Sequence, residues 1–173
     1  MAQFVPVDPF NLVIFGGTGD LSQRKLLPAL FHRWLDGQIP AESRIIGSAR
    51  TEMGTKDFRA FARSACQAAT ATQDWDTAAW KAFEKLLDYQ ALDATAQEAD
   101  WPALKARLNR DIALNVYYLA TAPRLYVDIA SALDAAGLNT PEARLVLEKP
   151  IGTDLASARA INAGVCAHFD EPQ

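Results

Sequence analysis

The stretch Asn11–Phe31, NLVIFGGTGDLSQRKLLPALF, decides how this chain folds. An apolar run from Asn11 to Phe15, with Val13 and Ile14 at its centre, breaks on Gly16 and Gly17. After Thr18-Gly19-Asp20 the apolar residues recur at Leu26, Leu27, Leu30, Phe31 and Trp34, which is the spacing of one face of a helix. A strand, a glycine turn and a helix therefore follow one another. Gly16 permits a tight turn, and Gly19 has no side chain to keep a phosphate off the backbone. The helix start near Asp20 and Leu21 offers free N–H groups and the positive end of the helix dipole. The pattern reads G-G-x-G-x-x-S, which departs from the spacing of the dinucleotide fingerprint, with Ser22 where a third small residue would stand. It is not a P-loop, since no Gly-Lys-Ser/Thr follows at the required distance. On these residues alone, a phosphate-binding turn and a plain strand-to-helix turn both stand.

The same alternation continues outward. Arg44–Ala49 (RIIGSA) reads as a second strand, and Thr55–Ala71 as a helix with Phe58, Phe61, Ala62 and Ala65 on one face. A further helix is expected over Trp75–Leu86, with Asp74 as its N-cap, and a short third strand within Leu86–Asp93. Gln97–Asn109 reads as helix and Ile112–Ala120 as a buried strand. Pro123–Ala136 reads as a helix with proline in its first turn and Gly137 at its end. Ala143–Lys149 is a last strand, and Asp154 caps a final helix running to about His168. Alternating strands and helices predict an α/β fold: a Rossmann-like, doubly wound parallel sheet with helices on both faces and ligands at the carboxyl ends of the strands.

At 173 residues the chain suits one compact domain, and a composition half hydrophobic and 22% charged is that of a globular protein. A net charge of −4 argues against a broad nucleic-acid footprint. Cys66 and Cys166 stand in no metal-ligand spacing, so no metal site is expected, and a reducing cytoplasm is the simpler setting. The start, MAQFVPVDPF, lacks the pattern of a leader, and no apolar run approaches the roughly 20 residues that span a bilayer, so no membrane partner is expected.

The second strand ends in GSARTE. Domains that bind NAD tend to carry an acidic residue there for the ribose hydroxyl. Here Arg50 holds that place, and an arginine can pair with the 2′-phosphate of NADP. A solvated surface arginine is the plainer alternative. Taken with the glycine turn, Arg50 favours NADP over NAD, with NAD still possible.

Four separated segments, FGGTGDLSQRKLLPALF, IIGSAR, YYLATAPRLY and LVLEKPIGTDLASARAIN, resemble in order the N-terminal coenzyme-binding domain of glucose-6-phosphate dehydrogenase over nearly the whole chain. The resemblance implies a residue-by-residue assignment. Gly16, Gly17, Thr18, Gly19, Asp20 and Leu21 match the family's coenzyme fingerprint, and Arg50 its 2′-phosphate arginine. Thr51 falls at a variable position that tunes NAD against NADP. Ala120, Thr121, Ala122 and Pro123 match a loop beside the nicotinamide. Lys25 matches a lysine between coenzyme and substrate, while Lys149 and Pro150 match a substrate-binding Lys-Pro step with its proline in cis. The implied reaction is oxidation of glucose 6-phosphate to the lactone with NADP, in the pentose phosphate pathway.

One part of the family pattern has no counterpart. The family's catalytic base is a histidine beyond an Arg-Ile-Asp-His-Tyr-Leu-Gly-Lys segment, in a second domain. His32 and His168 are the two histidines here, and neither has that context. Residues 1–173 are thus expected to form the coenzyme domain without the substrate and dimerisation domain, and with no catalytic residue of its own. The intact protein is expected to be a homo-oligomer, and this piece a monomer that binds NADP without turnover. The alternative is a free-standing NADP-binding regulatory or interaction module.

Overall fold

The computed structural model describes residues 7–173. The first six residues, which open the expected 1–173 unit and the leader-free start, lie outside the described residues. Among the described residues five strands form one parallel sheet: β1 (Asn11–Phe15), β2 (Arg44–Ala49), β3 (Leu87–Ala91), β4 (Asn115–Leu119) and β5 (Arg144–Leu147). Their spatial order is β3-β2-β1-β4-β5. The chain builds outward from β1 to β3, crosses back, and resumes on the other side at β4. The crevice between β1 and β4 is the switch point where open α/β sheets bind ligands.

Every residue of β1 is buried, because helices cover both faces of the sheet. Leu12 and Ile14 join Phe31, Phe58, Trp80 and Phe83 in one core, beneath α1 (Leu27–Leu35), α2 (Thr55–Ala69) and α3 (Thr77–Phe83). Val13 and Phe15 point to the other face, where they join Leu104, Ile129, Leu133 and Val165. Those residues come from α4 (Trp101–Arg107), α5 (Tyr126–Ala135) and α6 (Leu155–Cys166). The doubly wound architecture is as expected from the alternation of elements.

Several boundaries differ from the sequence reading. The first helix is preceded by a wide turn over Ser22–Leu26, in which Leu27 N–H donates to the Ser22 carbonyl, one residue beyond the α-helical partner. Pro28 has no N–H to continue the ordinary ladder at that point. Asp76, not Asp74, caps α3: its Oδ1 accepts from the N–H groups of Ala78 (2.8 Å) and Ala79 (3.0 Å). Asp74 instead ends a short 3-10 turn, Thr72–Asp74. The intervening Trp75 lies outside the helix so that its ring can pack on Phe31 and Trp80, with centroids 5.3 and 5.7 Å apart. The segment expected to be helical over Gln97–Asn109 is helix only from Trp101 to Arg107. Asp100 caps it, and Pro102 sits in the first turn, where a missing N–H costs nothing. Pro123–Leu125 is a 3-10 turn leading into α5. The expected cap Asp154 forms a full capping box with Ser157.

Candidate functional site

The glycine turn sits at the carboxyl end of β1 and is tied to both neighbouring strands. The N–H groups of Gly16 (2.8 Å) and Gly17 (3.0 Å) donate to the Ser48 carbonyl at the end of β2, and Ala120 N–H at the end of β4 donates to Phe15 (2.9 Å). Gly16 has φ +84°, and a Cβ there would lie 2.4 Å from the Ala120 carbonyl oxygen. A Cβ on Gly17 would come within 2.7 Å of Gly47 Cα. The paired glycines thus serve two distinct needs: a left-handed backbone at Gly16, and close approach to β2 at Gly17. Ser22 closes the turn from the helix side. It is fully buried, and its Oγ donates to the Gly16 carbonyl at 2.9 Å. The sequence marked Ser22 only as a small residue in the fingerprint.

Around this turn the carboxyl ends of the first four strands enclose an open cleft of about 560 Å³. Gly16, Thr18, Gly19, Arg50, Thr51, Ala120, Thr121 and Ala122 line it, so eight of the twelve residues expected to bind coenzyme converge on one space. The other four surround rather than line it. Gly17 is buried behind the turn, and Leu21 heads the helix. Pro123 begins the 3-10 turn, and the Asp20 carboxylate points to Arg24 in an exposed ion pair at 2.6 Å.

The lining also holds residues not anticipated from sequence: Ser48, Asp93 and Arg124. Their signal was weak: Ser48 and Asp93 stand beside strand ends and Arg124 in the turn between β4 and α5, and only the folded sheet brings these places together. Ser48 Oγ and Thr121 Oγ1 are buried and have no hydrogen-bond partner among the described residues. Buried hydroxyls are rarely left so. Bare glycine backbone, a helix start, unpaired hydroxyls and an exposed Arg50 together suit a phosphorylated dinucleotide.

Arg50 is carried on a well-anchored segment. The Tyr89 hydroxyl donates to the carbonyls of Thr51 (2.7 Å) and Ala49 (3.3 Å), on either side of it. Burial, with the Glu52 charge nearby, raises the Tyr89 pKa and keeps that hydroxyl a donor. Asp93 faces Arg50 from the end of β3. Hydrogen bonds from the Thr95 hydroxyl (2.8 Å) and N–H (3.1 Å), with a smaller contribution from the Arg50 charge, hold its carboxyl below the usual range.

Lys25, Lys149 and Pro150 do not line the cleft. Lys25 is exposed in the wide turn before α1, and Lys149 is exposed just beyond β5. The Lys149–Pro150 peptide is cis, as expected. Its mount was not visible in sequence: the Tyr118 hydroxyl of β4 donates to the Glu148 carboxylate, and the Tyr126 hydroxyl of α5 donates to the Glu148 carbonyl at 3.0 Å. His32 is exposed on α1, and His168 Nδ1 lies 3.1 Å from Asp134 Oδ2, so neither imidazole lines the cleft. Among the described residues no cluster of His, Cys, Asp and Glu is placed to hold a metal ion, and no helix is long and apolar enough to cross a membrane.

A family profile described as "Glucose-6-phosphate dehydrogenase, NAD binding domain" matches residues 13–173. The chain belongs to that family. The glucose-6-phosphate 1-dehydrogenase of Gluconobacter oxydans is 46% identical, covering 100% of this chain and 36% of the relative. That of Rhizobium meliloti is 39% identical, covering 99% of this chain and 35% of the relative. Among solved structures, glucose-6-phosphate 1-dehydrogenase from Mycobacterium avium superposes with a TM-score of 0.84 at 32% identity, over 94% of this chain and 34% of that one. A glucose-6-phosphate dehydrogenase in complex with its substrate glucose-6-phosphate gives 0.82 at 27% identity, over 99% of this chain and 36% of that one. The chain therefore spans about a third of the length of these relatives. As a member of this family, it is a nicotinamide-coenzyme-binding domain.

Proposed function

We propose that the chain is the NADP-binding portion of a glucose-6-phosphate dehydrogenase, which oxidises glucose 6-phosphate to its lactone. The observation that carries this reading is the convergence of the glycine turn, Arg50 and two unpaired hydroxyls on one cleft. Each group has a distinct task. The backbone at Gly16–Gly19, with the helix start at Asp20–Leu21, binds the pyrophosphate. Arg50 pairs with the 2′-phosphate, and Thr51 beside it tunes the choice between NADP and NAD. Ala120–Pro123 form the wall beside the nicotinamide, where Thr121 Oγ1 is free to donate or accept. When bound, the nicotinamide supplies the hydride acceptor. Lys25 and Lys149 hold the sugar phosphate by charge, and Pro150 shapes the turn that presents Lys149.

Among the described residues no histidine lines the cleft, and its one carboxylate, Asp93, stands beside Arg50 at the end expected to hold the 2′-phosphate, so this portion binds coenzyme but does not turn substrate over. The second domain, the base it carries and the oligomer contacts belong to the intact protein under this reading, which also keeps the cytoplasmic setting expected from the two free thiols. The test is a binding titration of the chain with NADP and NAD. Arg50→Ala removes one charge-assisted contact worth about 1.5–3 kcal/mol, so NADP weakens roughly 10- to 150-fold while NAD changes little. Equal losses for both coenzymes would remove the 2′-phosphate assignment. With glucose 6-phosphate added, NADPH absorbance stays at background. Turnover that survives purification and vanishes on Lys149→Ala would refute the second part of the reading.

A further inference from the structure

A second hollow, of about 360 Å³, opens beside the coenzyme cleft, and Arg50 and Asp93 line both. The strand ladder explains why these two residues meet. Ala49 is in register with Ala91, and Leu92 N–H donates to the Ala49 carbonyl at 2.9 Å. The chain thus leaves β2 and β3 side by side, with Arg50 on one exit and Asp93 on the other. Arg50 makes no ion pair within 4.0 Å among the described residues, although Glu52, Glu98 and Asp100 also line the second hollow. Its guanidinium is attracted by several carboxylates and clamped by none. Asp93 is the one of these acids that reaches the coenzyme cleft.

We infer that Asp93 is a specificity-determining residue at the coenzyme site, and that its carboxylate reduces the preference for NADP over NAD. The inference rests on the reading of Arg50 as the partner of the 2′-phosphate. A 2′-phosphate brought to Arg50 enters the field of the Asp93 carboxylate, which repels it and already draws on the same guanidinium. NAD has a ribose hydroxyl at that place, and a carboxylate is a good acceptor for a hydroxyl. Arg50 and Asp93 therefore act in opposite directions on the same choice.

Asp93→Asn keeps an oxygen to accept from Thr95 and removes the charge. In titrations of the 173-residue chain with each coenzyme, this variant binds NADP about two- to fivefold more tightly, the range of an exposed charge pair. NAD gains nothing. The difference shrinks as salt is raised toward 1 M, where screening acts within about 3 Å. Glu98→Gln, in the second hollow alone, gives a smaller change of the same sign. The inference is overturned if Asp93→Asn weakens both coenzymes equally, which would make Asp93 a ribose acceptor only, or if it leaves both unchanged. It is also overturned if Glu98→Gln shows the gain and Asp93→Asn does not. A wild-type chain that binds neither coenzyme removes the coenzyme reading and this inference together. One that binds both, and loses NADP on Arg50→Ala but gains nothing on Asp93→Asn, removes this inference alone.

Discussion

Two buried polar side chains, one near each end of the sheet, are treated in opposite ways. At the amino end Asn11 is fully buried and its side chain is fully engaged. Its Nδ2 donates to the Asn109 carbonyl and to Asn115 Oδ1, both at 3.0 Å, while its Oδ1 accepts from Asn109 N–H at 2.8 Å. These bonds pin the start of β1 to the segment that leads into β4. At the carboxyl end Ser48 is as deeply buried, yet among the described residues its hydroxyl has no partner, and the Thr121 hydroxyl is in the same position. A satisfied buried group stabilises the fold, and an unsatisfied one costs free energy until something binds it. Asn11 is therefore organised for the chain itself; orphaned hydroxyls also occur at Thr70 and Thr140, but Ser48 and Thr121 are the two that line the cleft, where a ligand can reach them.

Substitutions can break or sharpen this contrast. The largest effect is expected at the turn that joins the two functions. Gly16→Ala forces a side chain into left-handed backbone and against the Ala120 carbonyl, and should cost about 2–5 kcal/mol. Its urea midpoint should fall well below that of the wild type. An unchanged midpoint would mean that the turn is not held as described. Next comes Asn11→Leu, which leaves Asn109 N–H without its acceptor and should cost about 1–3 kcal/mol. Because Asn11 lies at the far end of the sheet, coenzyme affinity of the folded variant should match the wild type. A matched loss of affinity would show that the ends are not independent. The smallest loss is at Ser48→Ala, where no bond is broken and an unpaired buried hydroxyl is removed, so stability should be unchanged or slightly higher. If a ligand uses that hydroxyl, NADP should weaken by about 0.5–1.5 kcal/mol, read by the same titration. A large loss of stability would reveal a protein partner for Ser48 and undo the contrast.

The sequence disclosed the end of the sheet that holds the cleft better than the other. Gly16, Gly19 and Arg50 are marked by their place at strand ends, and a strand end can be read from an apolar run and its stop. The cis Lys149–Pro150 step came from the family resemblance. Boundaries failed where packing at a distance overruled a local signal. Asp74 and Asp76 are equally good caps in QDWDTAAW, and the aromatic cluster around Phe31 decided between them by drawing Trp75 out of the helix. Asn11 looked like an ordinary strand residue, because its partners lie about a hundred residues away. Asp93 and Arg124 escaped notice for a related reason, since their meeting with Arg50 and the glycine turn depends on the order of strands in the sheet.

The tyrosine hydroxyl of Tyr126 carries a mechanical consequence. Tyr126 opens α5, the helix whose Ile129 forms a wall of the coenzyme cleft, and the same residue grips the carbonyl of Glu148, one peptide before Lys149. The cleft wall and the segment before Lys149 are thus joined through Tyr126, beside the support that Glu148 receives from Tyr118 of β4. The position of the Lys149 peptide is therefore tied to that of α5 through one hydrogen bond, so Tyr126→Phe would release the segment from the helix that lines the cleft.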